Sequence, residues 1–143
     1  MPAAFWDTSS IVPLCISKQA SARLHQLHRQ YSLVVWWATP VEAQSAFARD
    51  LRSGTLTRAE FQSAQQRLEA LRTIWHEVEP SEPVRSLAEL LLERYALRVA
   101  DALQLAAAHA WSRNRPFGKP LISGDTKLLE AAEAVGFSVI QAP

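Results

Sequence analysis

The sequence predicts an α/β fold of three layers, in which helices cover both faces of a central, mostly parallel sheet of four to five strands. Short apolar runs alternate with longer segments of helical periodicity, and no repeat, linker or low-complexity tract interrupts the alternation. Strands that alternate with helices typically form a parallel sheet with helices on both faces. We therefore interpret residues 1–143 as a single domain, which is long enough to bury a core.

Five segments have the character of strands. Most are apolar or rich in β-branched and aromatic residues, which suits buried strands. One of them, before Pro80, could be a short edge strand because the proline ends it. The five segments are residues 3–6, 32–38, 75–80, 119–125 and 138–141.

The segments between the strands have apolar residues at helical spacing. Thr39 followed by Pro40 suits the start of a helix, and Gly54 suits its end. Thr57 and Glu60 have the spacing of a capping box. The predicted helices cover residues 17–31, 39–54, 57–75, 81–97, 100–114 and 126–137, and a further helix starts after residue 7.

Composition limits the class of protein. The 15 basic and 14 acidic residues nearly balance, which argues against an avid polyanion binder. The only cysteine, Cys15, excludes an internal disulfide and a multi-cysteine zinc site, and we expect it to be a small core residue. The chain begins without a signal-peptide pattern, and no apolar run approaches the ~18 residues of a membrane span. These features favour a soluble cytoplasmic protein.

Acidic residues occur at four junctions between predicted strands and helices. Ligands of open parallel sheets bind at the carboxyl ends of the strands, so these side chains are expected to share one edge. Four carboxylates at one edge would repel one another unless divalent cations neutralised them. The four acids are Asp7, Glu42, Asp101 and Asp125.

Three of the acids also have a simple structural explanation. Glu42 has capping-box spacing from Thr39, and Asp125 could cap the helix that follows it. Asp101 could favour the helix dipole, which is worth ~0.3–1 kcal/mol. Asp7 has little structural reason to follow an apolar strand. A capping role and a ligand role are compatible, because a helix N-terminus fixes the position of its carboxylate.

Four motifs in this order resemble the PIN-domain nucleases, and most closely the VapC toxins of type II toxin–antitoxin (VapBC) modules. They are FWDTSS, WWATPVEAQSAFAR, LRVADALQLAAAHAW and PLISGDTKLLEAAEAVGF, and they span essentially the whole chain. The resemblance implies a PIN-like fold. It also implies that Asp7, Glu42, Asp101 and Asp125 are the catalytic, metal-binding acids, and that Thr8 and Ser9 are the small hydroxyl residues after the first acid.

The activity implied by the resemblance is a metal-dependent endoribonuclease. One or two Mg²⁺ or Mn²⁺ ions would activate a water for in-line attack on phosphorus, with a 5′-phosphate and a 3′-hydroxyl as products. Single-stranded or looped RNA, such as that of tRNA, is the implied substrate. The implied partners are a VapB-type antitoxin and a second copy of the chain in a homodimer.

Charge supports an RNA substrate modestly. Without the four acids, the chain has 15 basic and 10 acidic residues. Five basic residues could line an RNA path: Arg49, Arg52, Arg113, Arg115 and Lys119.

Two other functions stay open. The first is a non-catalytic RNA-binding or scaffolding domain on the same fold, in which the acids would be structural. The second is a phosphoacceptor or phosphatase on a similar sheet. A phosphatase of the haloacid-dehalogenase type would need an aspartate two positions after Asp7, where the chain has Ser9, and this weakens the second alternative.

Overall fold

The computed structural model describes residues 1–142. Its strands are β1 (Ala3–Trp6), β2 (Ser32–Trp36), β3 (His76–Val78), β4 (Pro120–Ser123) and β5 (Ser138–Gln141). Its helices are α1 (Thr8–Cys15), α2 (Ala22–Gln30), α3 (Thr39–Arg52), α4 (Arg58–Arg72), α5 (Glu82–Arg94), α6 (Val99–Trp111) and α7 (Thr126–Val135). All five predicted strands are present within the described chain.

The five strands form one parallel sheet in the order β3-β2-β1-β4-β5. The central strand β1 pairs with β2 on one side, with Ala3 opposite Ser32, and with β4 on the other, with Phe5 opposite Leu121. The chain builds outward from β1 to β3 and then returns to the other side of β1. The order therefore reverses between β1 and β4, and open α/β sheets bind ligands at such a reversal.

Two apolar cores lie on the two faces of the sheet. Alternate strand residues point to opposite faces, so that Trp6 and Ile122 pack against α1–α4. Phe5 and Leu121 pack against α5–α7. The two helix layers and the sheet between them confirm the predicted three-layer arrangement.

Helix α6 is the most deeply buried helix of the second layer. Its apolar residues from Leu105 to Ala108 are fully buried, as its composition predicts. It has 13 residues, and none of the helices in the described chain combines the length and the apolar character that a membrane span requires.

One predicted capping box is present and the other is absent. Thr57 accepts a hydrogen bond from the backbone of Glu60 at 3.1 Å, and the Glu60 carboxylate accepts one from the backbone of Thr57 at 2.9 Å. Helix α3 instead begins at Thr39, with Ala38 at the cap position and no side-chain cap. The predicted box between Thr39 and Glu42 is therefore wrong, because both side chains bond to other elements, as described below.

The predicted helix over residues 17–31 is also interrupted. A single 3₁₀ turn, Ser17–Gln19, precedes α2, which starts after Ser21. The Ser21 hydroxyl accepts a hydrogen bond of 3.1 Å from the backbone of Leu24 and so caps α2. A serine in this position starts a helix more readily than it continues one.

Candidate active site

All four predicted acids line one cleft of about 610 Å³ at the carboxyl edge of the sheet. Asp7 directly follows β1, and Asp125 follows β4 after one glycine. Glu42 and Asp101 lie in the first turns of α3 and α6. The parallel topology therefore brings together side chains that lie up to 118 positions apart in the sequence.

Asp7 is the most buried of the four acids, with 5% of its surface exposed. Its backbone N–H bonds to the carbonyl of Ile122 at 3.0 Å, which extends the pairing of β1 with β4. Its carboxylate does not cap α1. Instead, Oδ2 accepts hydrogen bonds from the hydroxyls of Ser9 at 2.6 Å and Ser123 at 2.8 Å.

Burial raises the pKa of Asp7 above its usual value, and the hydroxyl groups of Ser9 and Ser123 oppose this shift. The charge of Glu42 adds a smaller increase to the pKa of Asp7. An acid that is buried and held only by neutral donors gains from a nearby cation. Asp7 is therefore a buried carboxyl group whose hydrogen-bond donors carry no positive charge.

The two serines also hold the loop after β4. The backbone N–H of Gly124 donates to the Ser9 hydroxyl at 2.8 Å, and that of Asp125 donates to the Ser123 hydroxyl at 3.0 Å. Ser9 was noted in the sequence as a hydroxyl residue after the first acid, whereas Ser123 was missed. Its position as the last residue of a strand, before a Gly-Asp pair, was the available signal.

Glu42 is held by side chains from two other helices. Its Oε1 accepts a hydrogen bond of 2.6 Å from the Thr8 hydroxyl and one of 2.9 Å from the Gln104 amide. These bonds replace the capping box expected with Thr39. Sequence reasoning missed Gln104, although a polar residue among the apolar residues of α6 was a visible signal.

Asp101 is partly buried, and it lies close enough to two of the other acids for their charges to change its pKa. Burial is the largest cause that raises its pKa, and the charges of Asp125 and Asp7 raise it further. Arg98, three residues earlier, lowers the pKa of Asp101. Mutual repulsion among the acids is therefore present, as their predicted convergence implies.

Asp125 caps α7, as its simple structural explanation predicts. Its Oδ1 accepts hydrogen bonds from the backbone N–H groups of Lys127 at 3.0 Å and Leu128 at 3.3 Å. Asp7, Glu42 and Asp125 share one pattern. In each of them, the hydrogen bonds described above are all accepted by one carboxylate oxygen. The second oxygen of each carboxylate accepts none of those bonds. Capping thus leaves Asp125 with an oxygen that can bind a ligand.

The four acids line the same cleft, but they do not form a preformed metal-binding site. Within residues 1–142, no three Asp, Glu, His or Cys side chains lie close enough together to surround a metal ion. A cation in the cleft would therefore take at most two of these side chains as direct ligands in the observed arrangement.

The basic residues of the cleft differ from those expected. Arg49 lines the cleft, as predicted, and so does Arg98, which was not predicted. Arg52 does not line it. Arg113, Arg115 and Lys119 do not line it either.

Topology explains why those three residues lie elsewhere. Helix α6 carries the chain about 15 Å away from the cleft between Asp101 and Trp111. Lys119 directly precedes β4 and so lies at the amino edge of the sheet, where its ammonium group is 5.9 Å from the centre of the Trp111 ring.

Solved structures share this fold at low sequence identity. A toxin–antitoxin complex from Klebsiella pneumoniae contains a chain that is 19% identical, with a TM-score of 0.62 over 87% of this chain and 88% of that chain. VapBC2 from Rickettsia felis, bound to a DNA fragment from their promoter, matches at 12% identity and a TM-score of 0.65, over 97% and 98% of the two chains. FitAcB from Neisseria gonorrhoeae matches at 16% identity and a TM-score of 0.65, over 96% of each chain.

Neither a protein-family model nor a curated protein sequence matches the chain. The likeness to these structures extends over nearly the whole described chain, and it includes the parallel sheet and both helix layers. The protein thus has the PIN-like three-layer α/β/α fold that its sequence motifs predicted.

Proposed function

We propose that the protein is a metal-dependent endoribonuclease, which hydrolyses RNA to give 5′-phosphate and 3′-hydroxyl ends. The observation that carries the proposal is the convergence of Asp7, Glu42, Asp101 and Asp125 on one cleft. Three of these carboxylates are hydrogen-bonded through one oxygen and keep the other for a ligand. A purely structural set of acids would have no reason to accept mutual repulsion at one edge.

The donor chemistry fits Mg²⁺ or Mn²⁺. Carboxylate oxygens suit these hard cations, and Mg²⁺ usually keeps several waters while it binds one or two carboxylates and the substrate phosphate. This mode agrees with a cleft in which no three ligating side chains of the described residues lie close enough together to surround one metal ion. We assign Asp7 and Asp101 as the direct ligands of one ion, with Glu42 and Asp125 acting on it through water, or directly on a second ion.

A divalent cation bound at these acids would activate a water and stabilise charge on the leaving oxygen. The chain itself contributes position and charge. Ser9 and Ser123 hold the Asp7 carboxylate, and the first turn of α6 brings Asp101 to the same cleft. Arg49 and Arg98 line the cleft and would bind the phosphates that flank the cleaved bond.

The open cleft favours single-stranded or looped RNA as substrate, because exposed nucleotides can enter a concave site more readily than a duplex can. Val41 and Val99 are exposed near the acids, at 69% and 65%, and offer apolar surface beside the charged groups. We propose structured RNA with exposed loops, such as tRNA, as the substrate class.

We further propose that the protein is the toxin of a toxin–antitoxin pair. The support is the shared fold with chains of the toxin–antitoxin complex from Klebsiella pneumoniae and of VapBC2. A VapB-type antitoxin would inhibit the nuclease by covering the cleft, with a basic side chain placed among the acids. A homodimer is part of the same proposal.

Sequencing of RNA ends after induced expression tests the proposal. New 5′-phosphate ends should accumulate with the wild-type chain and disappear with Asp7→Asn or Asp101→Asn. The purified wild-type protein should cleave the same RNA in Mg²⁺ or Mn²⁺ and stop cleaving it in excess EDTA. Both variants should fold, because each loses a repelling charge.

Several results would contradict the proposal. Wild-type cleavage rates in either variant, or cleavage that survives EDTA, would exclude the metal mechanism. RNA binding without cleavage, unchanged by Asp7→Asn, would identify a non-catalytic RNA-binding domain instead. Matched Asp50→Asn, on the same helix as Glu42 but outside the cleft lining, serves as the control for loss of one acidic charge.

A further inference from the structure

We propose that Gln104 is a positioning residue, whose buried amide holds the Glu42 carboxylate so that Oε2 stays free to act in the cleft. The inference rests on the proposed function, because Glu42 is one of the acids assigned to the metal site. It adds a residue that touches neither substrate nor metal and that acts through Glu42.

Gln104 is placed to connect three helices. It lies on α6, one turn after Asp101, and only 1% of its surface is exposed. Its Nε2 contacts Thr8 Oγ1 on α1 at 2.8 Å and Glu42 Oε1 on α3 at 2.9 Å. A longer contact of 3.3 Å reaches Thr39 Oγ1, also on α3.

The direction of the amide follows from the carboxylate. An ionised carboxylate accepts hydrogen bonds and cannot donate them. The Gln104 atom that lies 2.9 Å from Glu42 Oε1 must therefore be the amide nitrogen. The two hydrogens of Nε2 serve its two short contacts, to Thr8 and Glu42. Thr8 in turn donates its own hydrogen to the same Oε1 at 2.6 Å.

This triangle of hydrogen bonds fixes one end of the Glu42 side chain. Both donors converge on Oε1, and Oε2 accepts neither bond. Because Gln104 and Asp101 lie on the same rigid helix, α6 both carries one acid and restrains another. Helix α6 therefore links the position of Asp101 to that of Glu42, which lies on α3.

The chemistry of the amide matters for this role. A lysine or arginine at position 104 would also hold Glu42, but its charge would compete with a cation for the carboxylate. A neutral amide orients the carboxylate and leaves its charge available. Charge-assisted hydrogen bonds of this kind are stronger than those between neutral groups.

Packing alone does not explain a glutamine here. The neighbouring residues Leu105, Ala106 and Ala107 are apolar and fully buried. The amide oxygen of Gln104 is buried and has no hydrogen-bond partner among residues 1–142, which is unfavourable for folding. An apolar side chain of similar length would leave no unpaired polar group. It could not donate a hydrogen bond to Glu42, and this bond is what the glutamine adds.

Mn²⁺ binding, read by electron paramagnetic resonance, tests the inference without a substrate. Gln104→Met keeps the length of the side chain and removes the donor. It should weaken Mn²⁺ binding about 10- to 100-fold, the range typical of residues that orient metal ligands. In a Glu42→Gln background the same substitution should cause no further loss, because the residue through which it acts is already disabled.

The controls separate positioning from stability. Leu105→Val removes buried volume from the next position of α6 and should leave Mn²⁺ affinity unchanged while lowering the melting temperature. Gln104→Asn keeps the amide but is one methylene shorter, so it should also weaken Mn²⁺ binding. This variant decides the matter if the methionine variant does not fold.

The outcomes distinguish the two levels of the argument. Absence of Mn²⁺ binding by the wild-type protein would overturn both the proposed metal site and this inference. Wild-type binding with equal affinity in Gln104→Met or, if that variant does not fold, in Gln104→Asn would overturn the inference alone. An equal loss with and without the Glu42→Gln background would also overturn it, because a structural defect would act independently of Glu42.

Discussion

The hydroxyl of Ser123 donates a hydrogen bond of 2.8 Å to Oδ2 of Asp7, and so joins the end of β4 to the acid that follows β1. Both residues are buried, and Ser9 donates to the same oxygen at 2.6 Å. The pairing of β1 with β4 sets the distance across which this bond forms. The sheet register, and not a flexible loop, therefore orients the carboxylate at the point where the strand order reverses.

Ser123→Ala should reduce RNA cleavage about 10- to 100-fold, because residues that hold a metal ligand typically contribute that much. The substitution removes one of two hydroxyls that favour the ionised form of Asp7, so the pKa of Asp7 should rise further. Steady-state kinetics in Mg²⁺ at several pH values would measure both effects.

Ser112→Ala is the matched control for this substitution. Ser112 is also a buried serine, but it lies just after α6, at the end away from the cleft. Its hydroxyl donates to the backbone carbonyl of His109 at 2.7 Å. The Ser112→Ala substitution should lower stability and leave cleavage unchanged. Equal losses of activity in the two variants would show that Ser123 acts only through the stability of the fold.

Asp101→Asn should raise the melting temperature of the metal-free protein at neutral pH. The pKa of Asp101 is raised above 3.8 by burial and then by the charges of Asp125 and Asp7, so its ionisation opposes folding. The sign follows from linkage: this opposition is absent below the unfolded pKa and grows as the pH rises through the folded pKa.

Thermal unfolding in EDTA between pH 3 and pH 8 would measure the effect. The wild-type and Asn proteins should have similar stability at the acidic end, and the variant should become the more stable one as the pH rises. Mn²⁺ should reverse the order at neutral pH, since only the wild type gains from ligation. A wild type that is more stable than the variant in EDTA at pH 7 would contradict the proposed repulsion.

Much of the fold and the placement of the acids could be predicted because they follow from local patterns. Apolar runs and caps define the elements, and a parallel sheet puts the carboxyl ends of its strands at one edge. Asp7 comes directly after one such strand and Asp125 after another with one glycine between, so their convergence needs no knowledge of side-chain contacts. The same rule also places Lys119 at the opposite edge, because that residue precedes its strand.

The contacts that hold the acids could not be predicted, because they join distant parts of the chain. Ser123 and Asp7 are separated by 116 positions, and Gln104 and Glu42 by 62. A local rule was misleading for Glu42, whose capping-box spacing was overridden by donors from α1 and α6. Spacing reveals which bonds a residue can make with its neighbours in sequence, whereas packing decides which bond it makes.

Cys15 should be inert to thiol reagents in the folded protein. Its side chain is 1% exposed within the first core, as expected from the sequence, and burial raises the pKa of the thiol to about 12. At pH 8 the thiolate that such reagents need is therefore scarce and inaccessible. Ellman's reagent should release no colour from the native protein and one equivalent per chain in guanidinium. Rapid labelling of the native protein would place Cys15 outside the core.

Arg49→Ala should weaken the binding of single-stranded RNA and reduce its dependence on salt. Arg49 lines the cleft, and each RNA phosphate that is no longer neutralised should lower the slope of log affinity against log salt by about 0.7. In the otherwise wild-type chain, Arg98→Ala should reduce RNA cleavage more than Arg49→Ala does, because Arg98 also lowers the pKa of Asp101. Arg113→Ala removes the same charge beyond the far end of α6 and should change neither the RNA affinity nor its salt dependence.

RNA titrations at four salt concentrations, with catalytically silent Asp7→Asn as the common background, would measure the slopes. An effect of Arg113→Ala as large as that of Arg49→Ala would show that the RNA is not confined to the cleft and also contacts the surface beyond the far end of α6.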